Sequence, residues 1–165
     1  MAHIRGKEIM ITNRRLFLAG LGALQLGGAF AHAQAVRPIM LVYKDPNCGC
    51  CAAWAERIGA AGFQYEVIEE PNMNRLKARL GVPQHLASCH TAEIAGYVIE
   101  GHVPPAEIIR LLAERPSGQG LAVLGMPVNS PGMEVSGASD ETYEVVLFGA
   151  TGDSQYAKYS GARRI

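Results

Sequence analysis

Apolar positions change their spacing several times along this chain, and each change marks an element. Pro38-Ile39-Met40-Leu41-Val42-Tyr43 is a short run of strand formers, closed by Lys44-Asp45-Pro46-Asn47. Ala52 to Ala61 is Ala-rich, with Trp54 and Ile58 spaced i, i+4, so a helix is expected there, with Gly62 at its stop. Phe63 to Ile68 alternates like a strand. Met73 to Leu80 reads as a helix capped by Asn72 and ended by Gly81-Val82-Pro83. His90 to Glu100 reads as two strands turning near Gly96. Pro104-Pro105 then opens a helix to about Glu114, since Pro is welcome in a first turn. The expected order is β-α-β-α-β-β-α. Past Glu114 the chain is Gly- and Pro-rich through GQGLAVLGMPVNSPGME. Tyr143 to Phe148 and Gln155 to Tyr159 then flank a turn as a β-hairpin, and Ser160 to Ile165 reads as a frayed tail. There is no internal repeat and no second domain.

The first 35 residues follow a different pattern. Arg14-Arg15 directly precedes an apolar run from Leu16 to Ala31, shorter than the roughly 20 residues a spanning helix needs. The run ends in AFAHAQA, which fits A-x-A cleavage twice. Residues 1–35 therefore read as a bacterial signal peptide of the twin-arginine type, and 36–165 as the mature periplasmic domain. An uncleaved membrane anchor is the alternative; after cleavage no stable membrane span is expected. The chain has 165 residues, 48% hydrophobic and 18% charged, which suits one globular domain with its own core. Zero net charge and a single Trp argue against nucleic acid as a partner. Of 15 basic and 15 acidic residues, four and one lie in 1–35, leaving 11 against 14 in a mildly acidic mature chain. His3 and His32 go with the leader.

Candidate chemistry begins in DPNCGCCAAW. Cys48 and Cys51 form a C-x-x-C between the first strand and helix, and that placement within this element order is the thioredoxin pattern. A helix amino end favours thiolate, which suits either redox chemistry or metal ligation. Cys50 separates the two. It cannot easily bridge Cys51, since adjacent Cα atoms lie about 3.8 Å apart and disulfides want roughly 4.4–6.8 Å. Three thiolates about 4 Å apart would repel by roughly 4 kcal/mol per pair at an effective dielectric near 20. Protons, a disulfide or a bound cation would each relieve this. A cluster of soft monovalent ions is the option that uses all three sulfurs.

Cys89 lies in Leu86-Ala87-Ser88-Cys89-His90-Thr91, just before the third strand, which in a thioredoxin fold runs beside the C-x-x-C. Oxidoreductases usually carry a cis-proline there; here Cys89 and His90 stand instead. Cys89 as a buried hydrophobe, or in a disulfide with Cys50, are the alternatives. Met126 and Met133 follow in a Gly/Pro loop. Thioether with thiolate selects Cu(I), whereas Cys₃His alone would suit structural zinc. His102 reads as a residue preceding the last helix and His85 as surface. Asp45 reads as a capping or solvated residue, and Lys44 either as an ordinary strand-end lysine or as a charge favouring thiolates.

Three segments, VYKDPNCGCCAAW, LASCHTAEIAGYVIEGHVP and GLAVLGMPVNSPGME, together resemble the CopG-like family of periplasmic copper-resistance proteins. The likeness runs from about Val42 through the Tyr159 hairpin. It implies a single thioredoxin-like domain with a C-terminal Met-containing loop and β-hairpin, copper binding through the cysteines, and a link to copper tolerance. By motif, Cys48, Cys50 and Cys51 match its C-x-C-C, Cys89 and His90 its SCHT, and Met126 and Met133 its Met loop. The expected metal ligands are therefore Cys48, Cys50, Cys51, Cys89, His90, Met126 and Met133. Copper as Cu(I), singly or in a multinuclear thiolate cluster, is expected ahead of zinc. Other periplasmic copper-handling proteins are the partners implied. Storage, transfer and copper redox cycling all stay open, and the rival activity is thiol-disulfide exchange by Cys48 and Cys51.

Overall fold

The computed structural model describes residues 38–165, so the expected signal peptide, residues 1–35 with His3 and His32, lies outside the described residues. The described chain is a mixed α/β domain. Its elements are β1 (Met40–Lys44), α1 (Gly49–Ala60), β2 (Tyr65–Glu69), α2 (Met73–Arg79), β3 (His90–Ile94), β4 (Tyr97–Glu100), α3 (Pro105–Glu114), β5 (Gly120–Ala122), β6 (Thr142–Phe148), β7 (Ser154–Ser160) and β8 (Arg163–Arg164). The strands form one sheet in the order β2-β1-β3-β4-β5-β6-β7-β8. β1 runs parallel to β2 and antiparallel to β3, β4 is antiparallel to β3 and parallel to β5, and the remaining pairs are antiparallel. Among the described residues no helix is long and apolar enough to cross a membrane.

Local signals account for several boundaries. The Asn72 side chain accepts a hydrogen bond from the Arg75 N–H at 3.1 Å, capping α2. Pro105 opens α3, and Gly62 follows α1 with φ 85°. Alternation along β4 sorts the core: Tyr97 and Ile99 join Trp54 and Ile58 of α1 and Ile108 and Leu111 of α3, while Val98 joins Val82, Leu86 and Phe148 on the opposite face.

Four expectations are corrected. The helix after β1 starts at Gly49 rather than Ala52, so Cys50 and Cys51 belong to its first turn. The Gly/Pro-rich stretch contains β5, which lies against β4 so closely that a Cβ on Gly120 would run into the Val98 carbonyl. The tail is not frayed: β8 pairs with β7, and Arg164 reaches the buried Glu107 at 3.4 Å. The alternation read in β2 does not sort buried from exposed positions either, because β2 is an edge strand with Tyr65 and Val67 both exposed.

A buried ion pair joins α2 to the centre of the sheet. Lys77 Nζ lies 2.5 Å from Glu100 Oε1 and donates to Thr91 Oγ1 at 2.9 Å. Glu100 also accepts from Thr91 Oγ1 at 2.7 Å and from the Ser88 N–H at 2.6 Å. The carboxylate thus holds the segment leading into β3. Removing one partner of such a pair strands the other charge, at a cost of about 3–5 kcal/mol. Lys77→Met is expected to lower unfolding free energy by about 3 kcal/mol in urea denaturation; a loss below about 1 kcal/mol would contradict this account of the pair.

Candidate metal centre

The site is assembled where the carboxyl end of β1 meets the start of β3. Lys44 pairs with His90 in that ladder. Beyond Lys44, the Asp45 side chain accepts from the Asn47 N–H at 2.8 Å and the Cys48 N–H donates to the Asp45 carbonyl at 3.0 Å. This is an Asx turn, so Asp45 shapes the loop. Lys44 is nearly buried and donates to the Asp45 and Pro46 carbonyls, both at 3.1 Å, so it braces the turn. The turn delivers Cys48 as the N-cap of α1, with no side chain capping the helix and no acidic residue in its first turn. The free N–H groups there favour negative charge on nearby sulfur.

Four sulfurs converge. Those of Cys48, Cys50, Cys51 and Cys89 all lie within 4.8 Å of one another. Cys48 and Cys51 are joined as a disulfide, with Cys50 and Cys89 free, so the alternative Cys50–Cys89 bridge is not formed. Cys50 Sγ lies 3.5 Å from Cys48 Sγ and 3.8 Å from Met126 Sδ. Met126 is 52% exposed, so it lies beside Cys50 at the surface rather than in the core. Met133 is half-buried in the same loop. That loop is fastened at several points: Ser88 Oγ donates to the Gly125 carbonyl at 2.7 Å, and Arg57 Nε to Glu134 Oε1 at 2.8 Å. At Gly132, with φ +83°, a Cβ would come within 2.6 Å of the Trp54 nitrogen, so the loop lies directly on α1.

Two imidazoles complete the surroundings. His90 is fully buried, its ring 4.4 Å from Trp54, and its Nδ1 lies 3.2 Å from Cys89 Sγ. Its Nε2 is buried with no hydrogen-bond partner among the described residues. His102, read from the sequence as a residue merely preceding α3, is also fully buried, with Nε2 3.2 Å from the same sulfur. Its Nδ1 donates to the Pro131 carbonyl at 2.9 Å, which leaves Nε2 as the acceptor. The hairpin predicts this neighbour: Thr91 pairs with Glu100 around the Ala95-Gly96 turn, and extending that register sets His102 opposite Cys89. His85 is exposed and bonded to Asp153 at 2.7 Å.

Solved structures resemble this chain. Two, both described as copper resistance protein copG, in form 1 and form 2, are 44% identical to the chain with TM-scores of 0.70. They cover 76% and 74% of this chain, and 99% and 98% of their own lengths are matched. The chain belongs to the CopG-like family. Residues 86–133 also match the family described as a protein of unknown function, DUF411. No curated protein matches the chain. The DUF411 match begins beyond the first three cysteines and contains Cys89, His90, His102, Met126 and Met133.

Burial sets the protonation states of this CopG-like site. It pushes the Cys89 thiol up to about 12, with the neighbouring Cys50 adding to the shift. Burial likewise holds the His90 imidazole well below 6.5, aided by His102 and Lys77, and lowers His102 against the pull of its Pro131 bond. The resting site is therefore a neutral thiol between two neutral imidazoles. The unfolded chain protonates His90 near 6.5 while the folded chain resists it, so this stabilisation is complete above about 6.5 and is lost as pH falls. Metal-free protein is expected to lose unfolding free energy from pH 7.5 to pH 5, with a shallower loss in His90→Gln. A flat profile in urea denaturation across that range would contradict the assignment.

Proposed function

We propose that this chain is a periplasmic copper-binding protein that captures Cu(I) for copper resistance or homeostasis. The convergence of four cysteine sulfurs, from the α1 amino end and from the segment before β3, within 4.8 Å carries this reading. Cys48, Cys50, Cys51 and Cys89 act as thiolate ligands once the Cys48–Cys51 bond is reduced. His90 and Met126 complete the shell, and Met133 belongs to it through the same loop. Soft thiolate and thioether donors select Cu(I) over zinc, and bridging sulfurs accommodate several ions while cancelling the repulsion among three adjacent thiolates. Each Cys–copper bond displaces a thiol proton, so binding strengthens as pH rises.

The fold reading that goes with this is thioredoxin-like. Its support is the order β1-α1-β2-α2-β3-β4-α3 with a C-x-x-C at the start of α1. Residues 1–35 act as a twin-arginine signal and 36–165 as the functional domain. The copper-resistance description of its relatives supports export.

The Cys48–Cys51 disulfide favours a second reading, thiol-disulfide exchange with half-buried Cys48 as nucleophile and buried Cys51 as resolver. Cys50 discriminates the two. Cu(I) titration of anaerobically reduced protein is expected to give more than one copper per chain, falling to one or less in Cys50→Ala. Clean 1:1 zinc binding without Cu(I) preference would overturn the copper reading. Protein-disulfide turnover retained in Cys50→Ala would establish the second.

A further inference from the structure

The core beside the metal centre is built from oxidisable rings. Trp54, the chain's single tryptophan, is fully buried with its ring 4.4 Å from that of His90. Its Nε1 donates to the Val103 carbonyl at 3.0 Å. Tyr143 and Tyr159 belong to the same continuous core as Trp54, and their rings stack 5.6 Å apart at 17°. One cleft connects the two ends of this core. Arg57, one turn beyond Trp54 on α1, and Pro104, next to Val103, line it together with Tyr159.

The two tyrosines differ in what their hydroxyls meet. Tyr143 donates to the Gly161 carbonyl at 3.0 Å. Tyr159 donates to the Glu107 carboxylate at 2.8 Å. Glu107 is itself buried, with Arg110 Nε 3.0 Å from Oε2 and Arg164 Nε 3.4 Å from Oε1. Two guanidinium groups compensate this carboxylate without help from the phenol. For the phenol, in contrast, the carboxylate is a proton acceptor at contact distance. Burial raises the Tyr159 hydroxyl above its ordinary range and Glu107 adds to the shift, so the resting phenol keeps its proton.

Cu(I) brings a hazard to this place. It gives one electron to hydrogen peroxide, and an oxidising equivalent of hydroxyl-radical strength remains beside the thiols. Cysteine driven to sulfinate or sulfonate is lost as a ligand. Indole and phenol are the aromatic side chains that surrender an electron most readily. We propose that Trp54 and Tyr159 form a relay that draws oxidising equivalents away from the metal centre, with Glu107 receiving the Tyr159 proton. The remaining equivalent takes one electron from Trp54 across the His90 contact. Trp54 regains it from Tyr159. The phenolic O–H bond breaks, its proton passes to Glu107, and a neutral tyrosyl radical stays behind. An oxidised phenol is a strong acid, so the proton crosses in spite of the two arginines. Peroxide receives two electrons, one from Cu(I) and one from Tyr159, and leaves as two waters with two protons from solvent. The relay rests on Cu(I) as the cargo of the site and not on the number of ions bound.

The test loads the reduced protein with Cu(I) anaerobically, measures uptake, adds hydrogen peroxide and freezes the sample rapidly. Paramagnetic resonance is expected to show a tyrosyl signal, identified by ring-deuterated tyrosine, beside that of Cu(II). Tyr159→Phe should lose most of this signal at unchanged Cu(I) uptake, and cysteine sulfinate and sulfonate should rise roughly threefold by mass spectrometry. Tyr143→Phe, which keeps the phenol–carboxylate pair, should retain the signal, and Trp54→Phe should lose it. A signal unchanged in Tyr159→Phe, or equally strong from copper-free protein, would overturn the relay, as would a full signal from Trp54→Phe with normal uptake. No tyrosyl signal from the unsubstituted protein at normal Cu(I) uptake would also overturn it while leaving the copper reading standing. Protein that takes up no Cu(I) would overturn both.

Discussion

One strand register brings the site together. β1 and β3 pair antiparallel with Lys44 opposite His90. The turn that follows Lys44 carries Cys48 into α1, and the residue that precedes His90 is Cys89. A slip of one residue would send every β3 side chain to the opposite face. His90 would then leave Trp54 and point toward Lys77. The buried Lys77–Glu100 pair guards against this, because Glu100 holds both Thr91 in β3 and the Ser88 N–H just before it. Trp54 works from the other face, donating from Nε1 to the Val103 carbonyl at 3.0 Å and so fixing α1 against the segment that carries His102.

Crowding is the chemical consequence. Thiols this close cannot all ionise without compensation, and the structure displays one form of compensation in the Cys48–Cys51 disulfide. A soft cation is the other. The same short distances serve both states, so oxidation of the pair and capture of Cu(I) by it compete for the same two sulfurs. Burial biases Cys89 toward its protonated form, which leaves the metal to supply the driving force for ionisation. The methionine loop meets these sulfurs at Met126 and is tied down through Ser88, Arg57 and His102 by bonds that do not involve the thioether sulfurs.

Local chemistry was legible in the sequence. Asn72 as a cap, Pro105 in a first turn and the Cys48–Cys51 spacing are decided by residues within one helical turn of each other. What escaped depends on distant partners. Gly120-Leu121-Ala122 has too few residues to show a period, and it becomes a strand only because β4 and β6 flank it. Arg163-Arg164 looks like a solvated end until the buried carboxylate of Glu107 is seen to receive Arg164. His102 is thirteen residues from Cys89 in the segment LASCHTAEIAGYVIEGHVP, and nothing local to either residue brings the two together. The hairpin turn at Ala95-Gly96 held that information, since folding the chain there lays His102 across from Cys89.

The central claim is that sulfur from two separate segments holds copper. Copper K-edge X-ray absorption on the reduced, Cu(I)-loaded protein tests this most directly. The account predicts a first shell dominated by sulfur, at about the 2.3 Å of metal–thiolate bonds, with copper–copper scattering behind it. A first shell made of nitrogen and oxygen alone would contradict it.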